Sequence, residues 1–104
     1  MATYNYNVIT HALTFEWDEG KSLENKRKHG LSFEEAKEVF FDANALLIHD
    51  PDHSEEEARF LLLGLGAKLR MLVVHHVYRK DDKVIRIISA RSATRQEQRQ
   101  YWQR

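Results

Sequence analysis

The sequence predicts an α+β domain: a small, mainly antiparallel sheet of four to five strands, with two N-terminal helices and one C-terminal helix. Three observations point there. Four apolar, strand-like runs between Asn44 and Ala90 are joined by short spacers, whereas parallel pairs need crossovers of a dozen residues or more. Two helix-start signals, Asp18 and Ser32, precede those runs, and a third, Thr94, follows them. The resulting order, β-α-α-β-β-β-β-α, is that of helices packed against one antiparallel sheet.

Each element has its own reason. Residues 1–13 lack clear periodicity and are expected to be an extension, leaving 14–104 as a single domain, a size that suits one core. Thr14–Trp17 is short and aromatic-rich, which suits a strand. Asp18 is an N-cap with Glu19 in the first turn, and Gly30 is a good C′ residue after the cations Lys28 and His29. Ser32 and Glu35 form a capping box for a second helix, whose apolar face is Phe33, Ala36, Val39 and Phe40. Asn44–Asp50 and Ala58–Gly66 are strands flanking a turn that holds the one Pro. Leu69–Arg79 is apolar at both parities, as a central strand is, and Lys80–Lys83 joins it tightly to Val84–Ala90. Thr94–Gln103 closes the chain as a helix, with Thr94 and Glu97 as a second capping box.

Composition excludes some chemistry. With no Cys, neither a disulfide framework nor thiol catalysis is available. No segment approaches the roughly 18 apolar residues of a membrane span, and the N-terminus lacks the pattern of a secretory signal, so a cytoplasmic protein is expected. The net charge is zero but uneven. Residues 1–67 hold 6 Lys/Arg against 13 Asp/Glu, and residues 68–104 hold 10 against 3. That asymmetry fits a basic surface for a polyanion, a dipolar surface for a charged partner, or halves that neutralise each other across the fold.

Several clusters could carry chemistry. Arg59, Arg70, Arg86 and Arg91 lie in or beside strands, and Arg95 and Arg99 are four apart on the last helix. A guanidinium is a rigid fork that fits phosphate oxygens. Strict alternation puts Arg86 on one face with Val84 and Ile88, and Arg91 on the other with Ile85, Ile87 and Ser89. A mid-strand Arg needs a carboxylate partner or an open surface. His49–His53 (HDPDH) looks like a ligand cluster but matches no zinc spacing and is explained by a solvated turn. His75 and His76 point to opposite faces of one strand and read as packed or edge residues. The first helix has one aliphatic residue, Leu23, with Trp17 beside it to pin one side. At about 100° per residue, Lys21, Asn25, Lys28 and His29 share a stripe roughly 100° wide. RNA cleavage needs such groups, since protons must move and phosphorane charge must be stabilised. On composition alone, a well-made helix end is the favoured explanation of Lys28, His29 and Gly30.

Phe15–Asp42, Asp50–Phe60 and Ile85–Tyr101 together resemble the BrnT family of bacterial toxins. Phe15, Glu16, Trp17, Asp18, Lys21, Asn25, Lys28, His29, Gly30, Ser32, Phe33, Glu34, Glu35 and Ala36 match one motif of the family. Arg86, Ser89, Arg91, Ala93, Glu97 and Tyr101 match a second. The resemblance implies a RelE-like fold and a metal-independent endoribonuclease without a cofactor, one that cleaves RNA and arrests translation. Its partner would be a ribbon-helix-helix antitoxin (BrnA-like), with operator DNA met only through the antitoxin and a homodimer within the toxin–antitoxin complex. On this reading Arg59, Arg70, Arg86 and Arg91 hold phosphate and stabilise the transition state. Lys28, His29, Glu97 or Tyr101 move protons, and Lys21, Asn25, Arg95 and Arg99 bind RNA. A noncatalytic protein- or nucleic-acid-binding module is the alternative.

Overall fold

A computed structural model describes residues 14–53 and 57–103; the expected extension, 1–13, lies outside them. The element order is β1 (Thr14–Glu16), α1 (Glu19–His29), α2 (Phe33–Lys37) continued by a 3-10 turn (Glu38–Phe41), β2 (Leu46–Asp50), β3 (Arg59–Leu65), β4 (Met71–Arg79), β5 (Val84–Ser92) and α3 (Arg95–Trp102). The α+β expectation holds, with five strands. They form one mixed sheet in the order β1-β5-β4-β3-β2, antiparallel except for β1, which runs parallel to β5.

The helix ends form where local chemistry puts them. Asp18 accepts from the Lys21 N–H at 3.0 Å, and Gly30 takes a left-handed conformation (φ 72°) that a glycine adopts without strain. Ser32 accepts from the Glu35 N–H, and Thr94 with Glu97 forms a complete capping box.

One face of the sheet packs under α1 and α2. Leu31, Phe33, Ala36, Val39 and Phe40 meet Leu47, Leu62, Leu72, Val74, Ile85, Ile87 and Ala90 there, all buried. A fully buried Leu or Phe contributes roughly 1.5–3 kcal/mol, so this cluster dominates stability. α1 joins it differently from the expectation. Leu23 is 66% exposed and pins nothing. The buried residues of α1 are Ser22 and Asn25. The Asn25 amide donates to the carbonyls of Leu31 (2.8 Å) and Ala90 (2.9 Å), and its oxygen accepts from the Ala90 N–H (3.1 Å). Ser22 Oγ accepts from the Phe33 N–H at 2.9 Å. A helix poor in apolar residues is therefore docked by satisfied buried hydrogen bonds.

β5 carries a second departure. His75 pairs with Ser89 and His76 with Ile87, which leaves Ile88 as the extra residue of a β-bulge. A bulge inserts one residue and shifts alternation by one. Arg86 and Arg91, assigned to opposite faces by strict alternation, therefore lie on the same face.

Candidate phosphate-binding site

That shared face is the one opposite α1 and α2. Residues directly opposed in register share a face, and here they form rows. One row crosses all five strands: Glu16, Arg86, Val77, Arg59 and Asp50. The next is Ser89, His75, Leu61 and Ile48. The third, Arg91, Val73, Leu63 and Leu46, lies where α3 covers the sheet, packing Tyr101 against Leu46, Leu63 and Val73.

The first row has an arginine on either side of a fully buried Val77. Two strand spacings separate the arginine backbones, about 10 Å, a span two long side chains can close around one phosphate. Arg86 donates to Glu16 at 2.9 Å, both groups about one-third exposed. The pair orients the guanidinium while leaving it accessible to solvent. His75 stands half-buried one row along.

His76, the next residue, faces the other way. It is fully buried against Phe40 and Phe60, its ring nitrogens 3.1 Å from the Val74 carbonyl and 3.2 Å from the Tyr78 hydroxyl. Burial lowers its pKa to about 4, so it stays neutral. The two histidines do point to opposite faces; one is packed and the other borders the arginine row.

The remaining expected site residues separate into groups. Arg91 makes a bidentate pair with Glu97 (2.8 and 2.9 Å), which holds the Glu97 carboxyl at about pKa 2 and raises the arginine. A carboxylate that acidic is a poor proton acceptor near neutral pH. The buried Tyr101 donates to Asp42 at 2.7 Å, and the same Asp42 oxygen accepts from the Leu65 N–H. Arg70 lies at the far end of the strands, 3.7 Å from Glu35. Asn25 is inside the fold, as described. Lys21, Lys28 and His29 are exposed along α1, on the helix side of the sheet, with Lys28 3.6 Å from Glu24. Arg95 and Arg99 are exposed on α3. The structure thus brings Arg59, Arg86 and Arg91 to one face and keeps Lys28 and His29 on the other.

Sequence reasoning left out Glu16, Asp50 and His75 as members of this face. The available signal was the parity of His75 with Val77 and Arg79, against that of His76 with Val74 and Tyr78. Among the described residues, no three His, Asp or Glu side chains are placed to hold a metal ion.

The first row thus sets Arg59 and Arg86, whose guanidinium forks match phosphate oxygens, on one sheet face of a small α+β domain. The chain belongs to the BrnT family, ribonuclease toxins of type II toxin-antitoxin systems, whose sequence profile matches residues 17–97. Membership in a type II toxin-antitoxin system implies an antitoxin partner and an RNA substrate. The fold is similar to the crystal structure of the Brucella abortus ribonuclease toxin BrnT. That match has a TM-score of 0.62 and 24% identity, and it covers 80% of this chain and 99% of that one. No curated protein sequence matches the chain.

Proposed function

We propose that this toxin cleaves RNA on the sheet face opposite α1 and α2, with arginine side chains supplying the positive charge that other nucleases take from a metal ion. The observation that carries the reading is the row Glu16–Arg86–Val77–Arg59–Asp50 with His75 beside it. Arg59 and Arg86 hold the scissile phosphate and stabilise the charge that grows on its oxygens in the transition state. His75 takes the proton of the attacking 2′-hydroxyl, a role an imidazole performs well. The atom balance is simple: the 2′-oxygen bonds to phosphorus, the 5′-oxygen leaves, and one proton passes from the first to the second. The Arg91–Glu97 pair and Tyr101–Asp42 hold α3 against the sheet at the border of the site. Lys21, Lys28 and His29 serve binding on the α1 side.

The rest of the expected biology follows as part of the same proposal. The antitoxin is a ribbon-helix-helix protein, the toxin forms a homodimer inside the complex, and the pair acts in the cytoplasm. Among the described residues no helix is long and apolar enough to cross a membrane, which is compatible with that location. We group the fold with RelE-like toxins on its element order.

The test is purified protein with end-labelled RNA in EDTA, alone and in a translation extract. Cleavage in either, lost in Arg86→Ala, is expected. RNA left intact in both, with a complex that weakens steeply as salt rises, would convert the site into a binding surface.

A further inference from the structure

The arginines of the second half are not spent equally. Arg70, Arg79, Arg86 and Arg91 pair with Glu35, Glu57, Glu16 and Glu97. Arg95 and Arg99 make no ion pair among the described residues. Both belong to α3, whose buried residue is Tyr101. At about 100° per residue, Arg95, Arg99 and Trp102 fall within an arc of roughly 60° on the side away from Tyr101. Trp102 is 67% exposed, and its ring meets the Tyr101 ring edge-on at 4.8 Å. Arg95, Gln98, Arg99, Trp102 and Gln103 line a shallow depression of about 310 Å³.

We infer that the outer face of α3 is a second RNA site, where one unpaired base stacks on Trp102 and Arg95 and Arg99 hold the neighbouring phosphates. This rests on the RNA-cleaving reading, because it names the path of the strand beyond the arginine row. An exposed ring held by a neighbouring aromatic and flanked by cations is the usual equipment for single-stranded RNA, since every base offers a π-face. A protein hot spot would instead sit among further apolar groups that exclude water. Here the other four lining residues are Arg or Gln. The place also fits: α3 begins three residues after the end of β5 and covers the row next to His75 and Ser89.

The experiment uses the full chain with Trp17→Phe, which leaves Trp102 as the sole tryptophan. The probe is an unstructured 12-nucleotide RNA, 2′-O-methylated throughout, so that binding is read without cleavage. Saturable quenching of Trp102 fluorescence is expected, with binding at least tenfold weaker for the same strand annealed to its complement. Trp102→Ala lowers affinity about tenfold, and Trp102→Phe less than threefold. Arg95→Gln and Arg99→Gln each flatten the slope of log affinity against log salt by about 0.7. Circular dichroism melts confirm that the variants fold. Unquenched fluorescence with equal affinity in Trp102→Ala overturns the platform; if wild type still cleaves RNA and Arg86→Ala does not, the ribonuclease reading stands. Quenching without any cleavage reverses that outcome. Quenching by polyglutamate but not by RNA assigns the face to an acidic protein and also overturns the proposal.

Discussion

His75 and His76 are adjacent and identical, yet the sheet puts them in opposite worlds. His76 lies under the 3-10 turn, fully buried and neutral, its ring against Phe40, Phe60 and Tyr78. His75 is half-buried on the opposite face, one row from Arg86 and Arg59. The contrast extends to the two faces. The helix side is held by apolar packing and satisfied buried hydrogen bonds, whereas the other side carries one charged row beside the smaller apolar cluster that α3 covers. Stability and chemistry are therefore expected to separate: substitutions on the helix side should move folding, and substitutions in the arginine row and at His75 should move activity.

The largest effect should come from Asn25→Ala. It deletes three hydrogen bonds and leaves the Ala90 amide, the Ala90 carbonyl and the Leu31 carbonyl without their partner. The loss should be about 3–5 kcal/mol, read from urea unfolding at pH 7. A loss below 1 kcal/mol would mean α1 is docked by something else.

His76 should follow, and its sign can be worked out. Its folded pKa of about 4 lies below the unfolded value of about 6.5. Between those values the unfolded chain binds more protons, so stability falls as pH drops from 6.5 to 4. The full effect is roughly 3 kcal/mol. Denaturant midpoints taken across that window should fall steeply in wild type and stay nearly level in His76→Phe.

His75→Ala should invert the pattern. Its stability should change by about 1 kcal/mol or less, while RNA cleavage falls about 100-fold, equivalent to about 2.7 kcal/mol of barrier. Equal effects on folding and cleavage would erase the distinction between the two faces.

The smallest effect belongs to Glu97→Gln, a loss of about 1–2 kcal/mol at pH 7 through the weakened Arg91 pair. Because the Glu97 pKa is lowered to about 2, its contribution is present above pH 4.5 and vanishes as pH falls from there to 2. The variant and wild type should converge at the acid end of that window, a lower range than the one His76 governs.

The local elements were legible because their signals are local. Asp18, Ser32, Thr94 and Gly30 end helices through bonds to neighbours within four residues, so spacing alone located them. The antiparallel joining of β2 through β5 followed from spacer length, whereas the parallel pairing of β1 with β5 did not. What escaped reading depends on partners far along the chain. The bulge at Ile88 belongs to the pairing of β5 with β4, and it alone moves Arg91 to the side of Arg86. Asn25 looked like a surface amide because helical wheels assign burial by apolarity. Its bonds to Ala90, 65 residues away, reverse that assignment. The parity of His75 and His76 was visible, but which parity faced the helices was not. The two-face contrast is thus a tertiary property resting on legible pieces.

The most direct measurement of the central claim is the rate at which Arg86→Ala and Arg59→Ala cleave labelled RNA in EDTA, or in a translation extract, beside their melting temperatures. The account predicts folded proteins with cleavage reduced at least about 100-fold in each. Cleavage at the wild-type rate by either folded variant would contradict it.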